Sequence, residues 1–588
     1  MKILYYLAYI YLAIISFNHL PAYSDDNNVR IIGQRICPLG YRKVIDSNGQ
    51  VSCFGGFGYM GFASNISRFL SDTGSYDFGF KAFTVDNSYT VGQCDSENPT
   101  SDHPVILSSG VKRLAEQDFT TAGLYPLHLT REYRSNFQNI GMFGSNWFSS
   151  FDFQLNFIHQ GVVCKPEPGV SGGCDGLTVL TAIQLVRPEG ATYALSWDAQ
   201  KEVWVDNKPD SIAYLEEQPN GNWIYYGEDK FIETYNSDGF ILTRKDANGV
   251  GLTFHYSSRN KLNKITHSNG QQITFSWTGN KVNAVTDPSG NTYNYSYNSH
   301  GYLSSVTYPG YPSTTRTYHY ENSNARHLVT GISINNARYS NYTYDTNGRV
   351  IESGLVNDIE KSTFSYLYSS NGSRTTVTNA VGQQTEYGYT NAGGVPKLYN
   401  VLNRASSTCP LTSAYKTYDD NGFLKSTTDF EGNSDRFSYN EKGLVTEVKK
   451  GMLASGPSKR IEYTWNDETD LIESEKIFDK NNSLIKETEF TYSNNGPSKY
   501  RPSRVTITNH SGIGQINSQT FTYNYVFKNG MLSAETVDGS ATDFDDRVTY
   551  SYDDHGNLTE ITSASGAKTT YSNFNALGLA GRVTYSDG

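Results

Sequence analysis

The chain has 588 residues and a formal net charge of -11 with only 18% charged side chains, so it lacks the clustered Lys and Arg of a phosphate-binding surface, and no nucleic-acid partner is expected. It holds 45 Tyr while hydrophobic residues total 37%, which argues against a thick aliphatic core. Residues 1–24 carry one lysine, an apolar run from Ile3 to Phe17 and a small-residue exit at Ala22 and Ser24. That pattern predicts a cleaved secretory signal. The run is shorter than the about 20 residues a membrane helix needs. No membrane span is expected after cleavage, and the protein is expected to be secreted or held at the cell surface.

Residues 25–100 are rich in Gly, Ser and aromatics without a period, and read as a cysteine-containing leader. In an exported chain the six cysteines favour disulfides. Cys37 with Cys53 and Cys164 with Cys174 would close short loops, and Cys94 with Cys409 is left by elimination; free thiols remain the alternative. GFGYMG at Gly56 to Gly61, with Asp77 beyond, matches a dinucleotide fingerprint only as a string, because a binding role needs a strand before it and a helix after it. A glycine-rich loop is expected there.

Residues 101–234 read as short strands, such as LYPLHLTREY from Leu124 and the alternating FDFQLNF from Phe151, and are expected to form an N-terminal cap on the first edge of the strand array beginning near Tyr235. GVSGG at Gly169 to Gly173 resembles a nucleophile elbow around Ser171, but it lies in a Pro- and Gly-rich loop between two cysteines. No HExxH and no His/Cys cluster at metal spacing occurs, so neither metal nor cofactor is expected.

Residues 235–588 carry a repeated phrase: YNSHG at Tyr297 to Gly301, YDTNG at Tyr344 to Gly348, YDDNG at Tyr418 to Gly422, YNEKG at Tyr439 to Gly443 and YDDHG at Tyr552 to Gly556. A second aromatic usually stands two residues earlier, which is the period of a strand. The glycine allows positive φ and a chain reversal. An apolar residue two positions on opens the return strand: Leu303, Val350, Leu424, Val445 and Leu558. Tyr235, Tyr256, Trp277 and Tyr297 recur about every twenty residues, the length of a two-strand hairpin. The predicted fold class is all-β: a long antiparallel sheet of repeated hairpins held by cross-strand aromatic pairs.

This phrase resembles the RHS or YD-repeat family. A second resemblance precedes it, in HPVILSSGVKRLAEQDF from His103, LYPLHLTREYRSNF from Leu124 and GMFGSNW from Gly141, which is similar to the domain usually found upstream of such repeats. Arg131, Tyr133 and Ser135 match its Arg-x-Tyr-x-Ser core, and Gly144 and Trp147 its Gly-Trp step, here opened to Gly-Ser-Asn-Trp. The resemblance implies one sheet wound as a spiral shell, which in many members encloses a toxic C-terminal segment. The chain stops inside a hairpin at Gly588 without a closing core, so a shell open at its C-terminal end is expected.

These readings converge on an exported, non-enzymatic β-shell protein that contains or delivers an effector in intercellular competition, is truncated, lacks its own toxin, and has an effector domain or a separate closing polypeptide as partner. A cell-surface carbohydrate-binding or adhesion protein is the second reading, with glycans as partners. A secreted hydrolase is the third, although no carboxylate pair is singled out for it.

Overall fold

A computed structural model describes 41–45, 51–55 and 101–586, apart from 102–103, 124, 137–139, 162–177, 207–210, 371, 393–394, 405–411, 454–455, 513–517 and 541–544. From Gln154–Gly161 to Arg582–Ser586, each strand pairs antiparallel with its neighbours in sequence, giving one continuous sheet. The sheet does not close end to end. Its first strand meets instead the turn at Gly239 and Phe240, where Leu155 N donates to Gly239 O at 2.9 Å. Its last strand pairs only with Lys568–Ser572 among the described residues.

The repeated phrase acts through three local devices. The residue after the tyrosine is a side-chain staple for the turn: Asp345 Oδ1 accepts from Asn347 N and Arg349 N, both at 2.9 Å, and Asn298 Oδ1 accepts from His300 N and Tyr302 N, both at 3.0 Å. Such Asx turns compete well with extended backbone. Gly301 and Gly348 then take φ of +84° and +76°, which a side chain would resist. Finally a one-residue bulge places Tyr297 opposite Leu303 and Tyr344 opposite Val350.

Successive hairpins are locked by a bond that composition does not announce. Leu303, Val350, Leu424 and Val445, all buried, give their carbonyls to an aromatic of the next hairpin: Tyr320, Tyr366 and Tyr439 hydroxyls at 2.8, 2.6 and 2.8 Å and the Trp465 indole N–H at 2.7 Å. The phrase tyrosines do the same, Tyr297 to Val282 O, Tyr344 to Val329 O and Tyr418 to Leu398 O, each at 2.6 Å. Ring contacts add to this, as with Tyr302 on Tyr320 at 5.4 Å and Phe423 on Tyr439 at 5.0 Å. Tyr344→Phe keeps the ring and strands the buried Val329 carbonyl. It should lower stability by about 1–2 kcal/mol, read as a shift in the urea midpoint, whereas an unchanged midpoint would mean the hydroxyl contributes nothing.

The block before the sheet splits in two. Val105–Ile106, Val111–Thr120, His128–Arg134 and Trp147–Ser149 form a small separate sheet, while the strands from Gln154 onward already belong to the long one. The long sheet therefore begins well ahead of Tyr235. Its early strands, such as Thr192–Asp198 and Trp223–Tyr226, lack the tyrosine phrase and so carry no repeat signal. Nor does the small sheet cover the first edge, as the sequence suggested; it lies against the face of the long sheet. Leu114, Phe119, Leu129, Tyr133, Trp147 and Phe151 share one hydrophobic core with sheet residues from Leu155 to Tyr342.

That core fixes the curvature. The seventeen strands from Gln154–Gly161 to Ala337–Tyr344 would span about 80 Å if laid flat, whereas a block of this length is about 25 Å across. The sheet must wrap around the block, which sits on its concave face. Winding continues past one turn: Lys230 Nζ lies 3.2 Å from Asp470 Oδ2, Asn269 Nδ2 donates to His555 O at 2.9 Å, and Gln271 Nε2 donates to Ala576 O at 2.8 Å. These partners stand 240 to 305 residues apart in sequence, so hairpin tips of one turn touch those of the next.

The residues 1–24, the GFGYMG and GVSGG strings, Asp77, and Cys37, Cys94, Cys164, Cys174 and Cys409 lie outside the described residues, as does the side chain of Cys53 in the strand Val51–Gly55.

Candidate functional site

The site with the most built-in chemistry is the seam between the small sheet and the concave face. Arg131 is its centre, fully buried, on the strand His128–Arg134. Its guanidinium makes a two-pronged pair with Asp118, Nε to Oδ2 at 2.7 Å and Nη2 to Oδ1 at 2.8 Å. The remaining donors reach the repeats: Nη1 to Tyr318 Oη at 3.2 Å and Nη2 to Tyr308 Oη at 3.1 Å. Tyr295 Oη donates to Asp118 Oδ2 at 2.7 Å, and the Trp147 ring lies 5.3 Å from the guanidinium. Burial alone would lower the Arg131 pKa, but Asp118 and the phenols of Tyr318 and Tyr308 outweigh it and raise it well above the usual value. The charge is permanent and fully matched.

The other motif residues also face the repeats. Tyr133 Oη donates to His327 O at 2.9 Å and accepts from Val329 N at 3.0 Å, one strand from the Tyr344 lock on the same residue. Trp147 Nε1 donates to Tyr320 Oη at 3.1 Å, which passes the chain on to Leu303 O. Gly144, at φ +95°, lies so close that a Cβ there would stand 3.1 Å from Gly301 O, the glycine of the YNSHG turn. Ser135 instead works within the block, where its Oγ accepts from Lys112 N at 3.0 Å. The side chains of Arg131, Tyr133 and Trp147 and the close approach of Gly144 thus join block to shell. The turn glycines and tyrosines of the repeats lie along the hairpin tips and ladders and do not converge on a single point.

Several residues of this seam were not visible from the sequence. Lys112 is 0% exposed, donates to Ser353 Oγ at 3.3 Å and lies 3.8 Å from the centre of the Tyr342 ring, with no carboxylate within ion-pair distance among the described residues. Burial drives its pKa well below the ordinary 10.5. A second buried cluster joins Arg187 and Arg244 to Glu233, with Tyr235 Oη donating to Glu233 Oε2 at 2.7 Å. Burial would raise the Glu233 pKa, but Arg187 and Arg244 overcome it and hold the carboxyl below its usual range. Arg244 also donates to Tyr125 Oη of the block. Asp152 accepts from Met142 N at 3.0 Å and from Ser149 N at 2.7 Å, yet burial lifts it to about 6. Asp152 is bonded within the block and Arg187 with Glu233 within the sheet, while Lys112 and Arg244 reach across the seam. No group of three or more His, Cys, Asp or Glu side chains is placed to hold a metal among the described residues.

Comparison with known proteins gives three separate matches along the chain. Family models match in chain order: a domain of unknown function, DUF6531, over 102–170, the teneurin YD-shell over 211–397 and the RHS repeat over 530–588. The chain is 21% identical over 295 residues to each of two Dickeya dadantii proteins, the probable deoxyribonucleases RhsB and RhsA. That alignment takes in 49% of this chain and 19% of theirs, so the chain spans about a fifth of those relatives. Among solved structures, TcdB2-TccC3 is similar with a TM-score of 0.36 at 12% identity, over 93% of this chain and 31% of that one. The Photorhabdus luminescens Tc holotoxin pore gives 0.35 at 12% identity, over 80% and 26%. No helix among the described residues is long and apolar enough to cross a membrane. The chain thus carries a DUF6531 match, a teneurin YD-shell segment and an RHS repeat in that order, which identifies RHS/YD-repeat segments in it.

Proposed function

We propose that this chain is the shell part of an exported toxin system: it contains or delivers an effector used in competition between cells, has no catalytic activity of its own, and is completed by an effector-bearing or closing polypeptide. The observation that carries this reading is the concave face, wound past a full turn and filled only in part by the upstream block. The second hydrophobic cluster, around Val448, Ile461, Tyr463 and Trp465, contains no residue of that block. Export rests on the apolar N-terminal run.

The test is a competition assay in which the encoding strain, its gene neighbours intact, is grown against a susceptible strain. Deleting the gene should remove the advantage. Undiminished competition by the deletion strain would overturn the reading. A second reading, carbohydrate binding at the cell surface, is favoured by one feature, a stacked aromatic cleft at the hairpin tips.

A further inference from the structure

We infer that the cleft between the hairpin tips at Asn298 and Asn322 binds a single carboxylate-bearing sugar residue. The cleft has a volume of about 160 Å³ and is lined by Asn298, His300, Tyr320, Glu321, Asn322, Ser323 and Arg326. That is smaller than a drug-sized pocket of about 300 Å³ or more, and suits one pyranose ring rather than an extended chain.

The polarity of the lining follows from how the two turns are made. Asn298 Oδ1 is consumed by His300 N and Tyr302 N, both at 3.0 Å, and Asn322 Oδ1 by Asn324 N and Ala325 N, also at 3.0 Å. Each turn uses the acceptor end of its amide and leaves the two-donor end, Nδ2, without a protein partner among the described residues. The one carboxylate is likewise spent: Glu321 receives both Nη1 and Nη2 of Arg338 at 3.1 Å and the Thr330 hydroxyl at 3.0 Å.

Arg326 supplies a charge with no carboxylate partner among the described residues. Its Nη1 lies 2.7 Å from His300 Nε2. A guanidinium only donates, so Nε2 accepts in this contact, and Nδ1 lies 3.4 Å from Ser299 Oγ. Arg326 is thereby held in place by the His300 ring, and the cleft presents a guanidinium and amide and hydroxyl donors to an acceptor-rich anion.

Rigidity and stacking complete the site. His300 stacks on Tyr302 at 6.5 Å and 16°, and Tyr302 on Tyr320 at 5.4 Å and 25°. Tyr320 is anchored through Leu303 O and Trp147 Nε1, so the three-ring stack is braced by the block-to-shell seam itself. Its outer member, the exposed His300, offers a ring face to the apolar side of a sugar while Arg326 stands at its edge.

The experiment titrates the full-length chain with glucuronic acid, with glucose as the neutral match, by calorimetry or ligand-observed NMR. Glucuronic acid should bind in the millimolar range and glucose at least about tenfold more weakly, a gap of about 1.4 kcal/mol. Arg326→Gln should erase that gap, and His300→Ala should weaken glucuronic acid binding without altering the thermal midpoint. Equal binding of both sugars, binding of neither, or a glucuronic acid affinity unmoved by Arg326→Gln would overturn the inference, as would displacement of the sugar by an equal concentration of inorganic phosphate. Containment of an effector does not depend on this cleft, so the competition assay and the titration fail separately.

Discussion

Arg131→Met should destabilise the protein by about 3–5 kcal/mol, a large part of the 5–15 kcal/mol that holds a typical domain folded. The substitution preserves much of the apolar stem but leaves Asp118 as a buried carboxylate with only the phenols of Tyr295 and Tyr308 beside it among the described residues, and it takes donors away from Tyr308 and Tyr318. The cost arises because the Asp118 charge has been desolvated and its strongest partner is gone. A double variant, Arg131→Met with Asp118→Leu, removes both charges and should recover most of the loss. Denaturant midpoints of the three proteins decide the matter. If the double variant is as unstable as the single one, the pair is not what seats the block, and shape alone holds the seam.

Lys112→Met should act in the opposite direction. A fully buried amine whose contacts are a serine hydroxyl and a tyrosine ring face gives up hydration for little return, so an apolar side chain of similar length should raise stability by about 1–3 kcal/mol at neutral pH. The pH dependence has a definite sign. The folded pKa lies below the ordinary 10.5, so the unfolded chain takes up the proton first as pH falls. Lys112 therefore costs nothing above about 10.5, costs progressively more as pH drops towards its depressed folded value, and costs its full amount below that. The gap between wild type and Lys112→Met should widen on going from about pH 11 to about pH 7. A constant gap would show that the amine stays protonated in the fold, held by the Tyr342 ring.

Much of the shell was legible because its information is local. A staple side chain at Asp345 or Asn298, a positive-φ glycine four residues past the tyrosine, and an aromatic two residues before it all act within one hairpin, so each leaves a fixed spacing in the sequence. The function of the tyrosine hydroxyl was not legible, since Tyr344 to Val329 and Tyr366 to Val350 join one hairpin to the next and any aromatic would preserve the pattern of ring packing. The early strands between Gln154 and Tyr226 were legible as strands but not as part of the long sheet, because their turns, such as that at Asn220 and Gly221, lack the tyrosine that marks the others. The seat of the upstream block was hidden for a deeper reason. Its contacts, from Arg131 to Tyr318 and from Lys112 to Ser353, pair residues 187 and 241 positions apart. The resemblance singled out Arg131, Tyr133, Gly144 and Trp147, but nothing in the strand VKRLAEQDF distinguishes the buried Lys112 from its half-exposed neighbour Arg113.

The central claim, a sheet wound past one turn around the upstream block, is tested most directly by zero-length carbodiimide cross-linking of the native chain with peptide mass spectrometry as the readout. Lys230 and Asp470, on hairpin tips of successive turns, are 3.2 Å apart and should be joined. Lys528 and Asp554, on adjoining hairpins at 2.7 Å, serve as the internal control. Recovery of both links is the predicted result. Recovery of the Lys528 to Asp554 link without the Lys230 to Asp470 link would mean that the hairpins pair in order but the sheet does not return upon itself, and the spiral would be wrong.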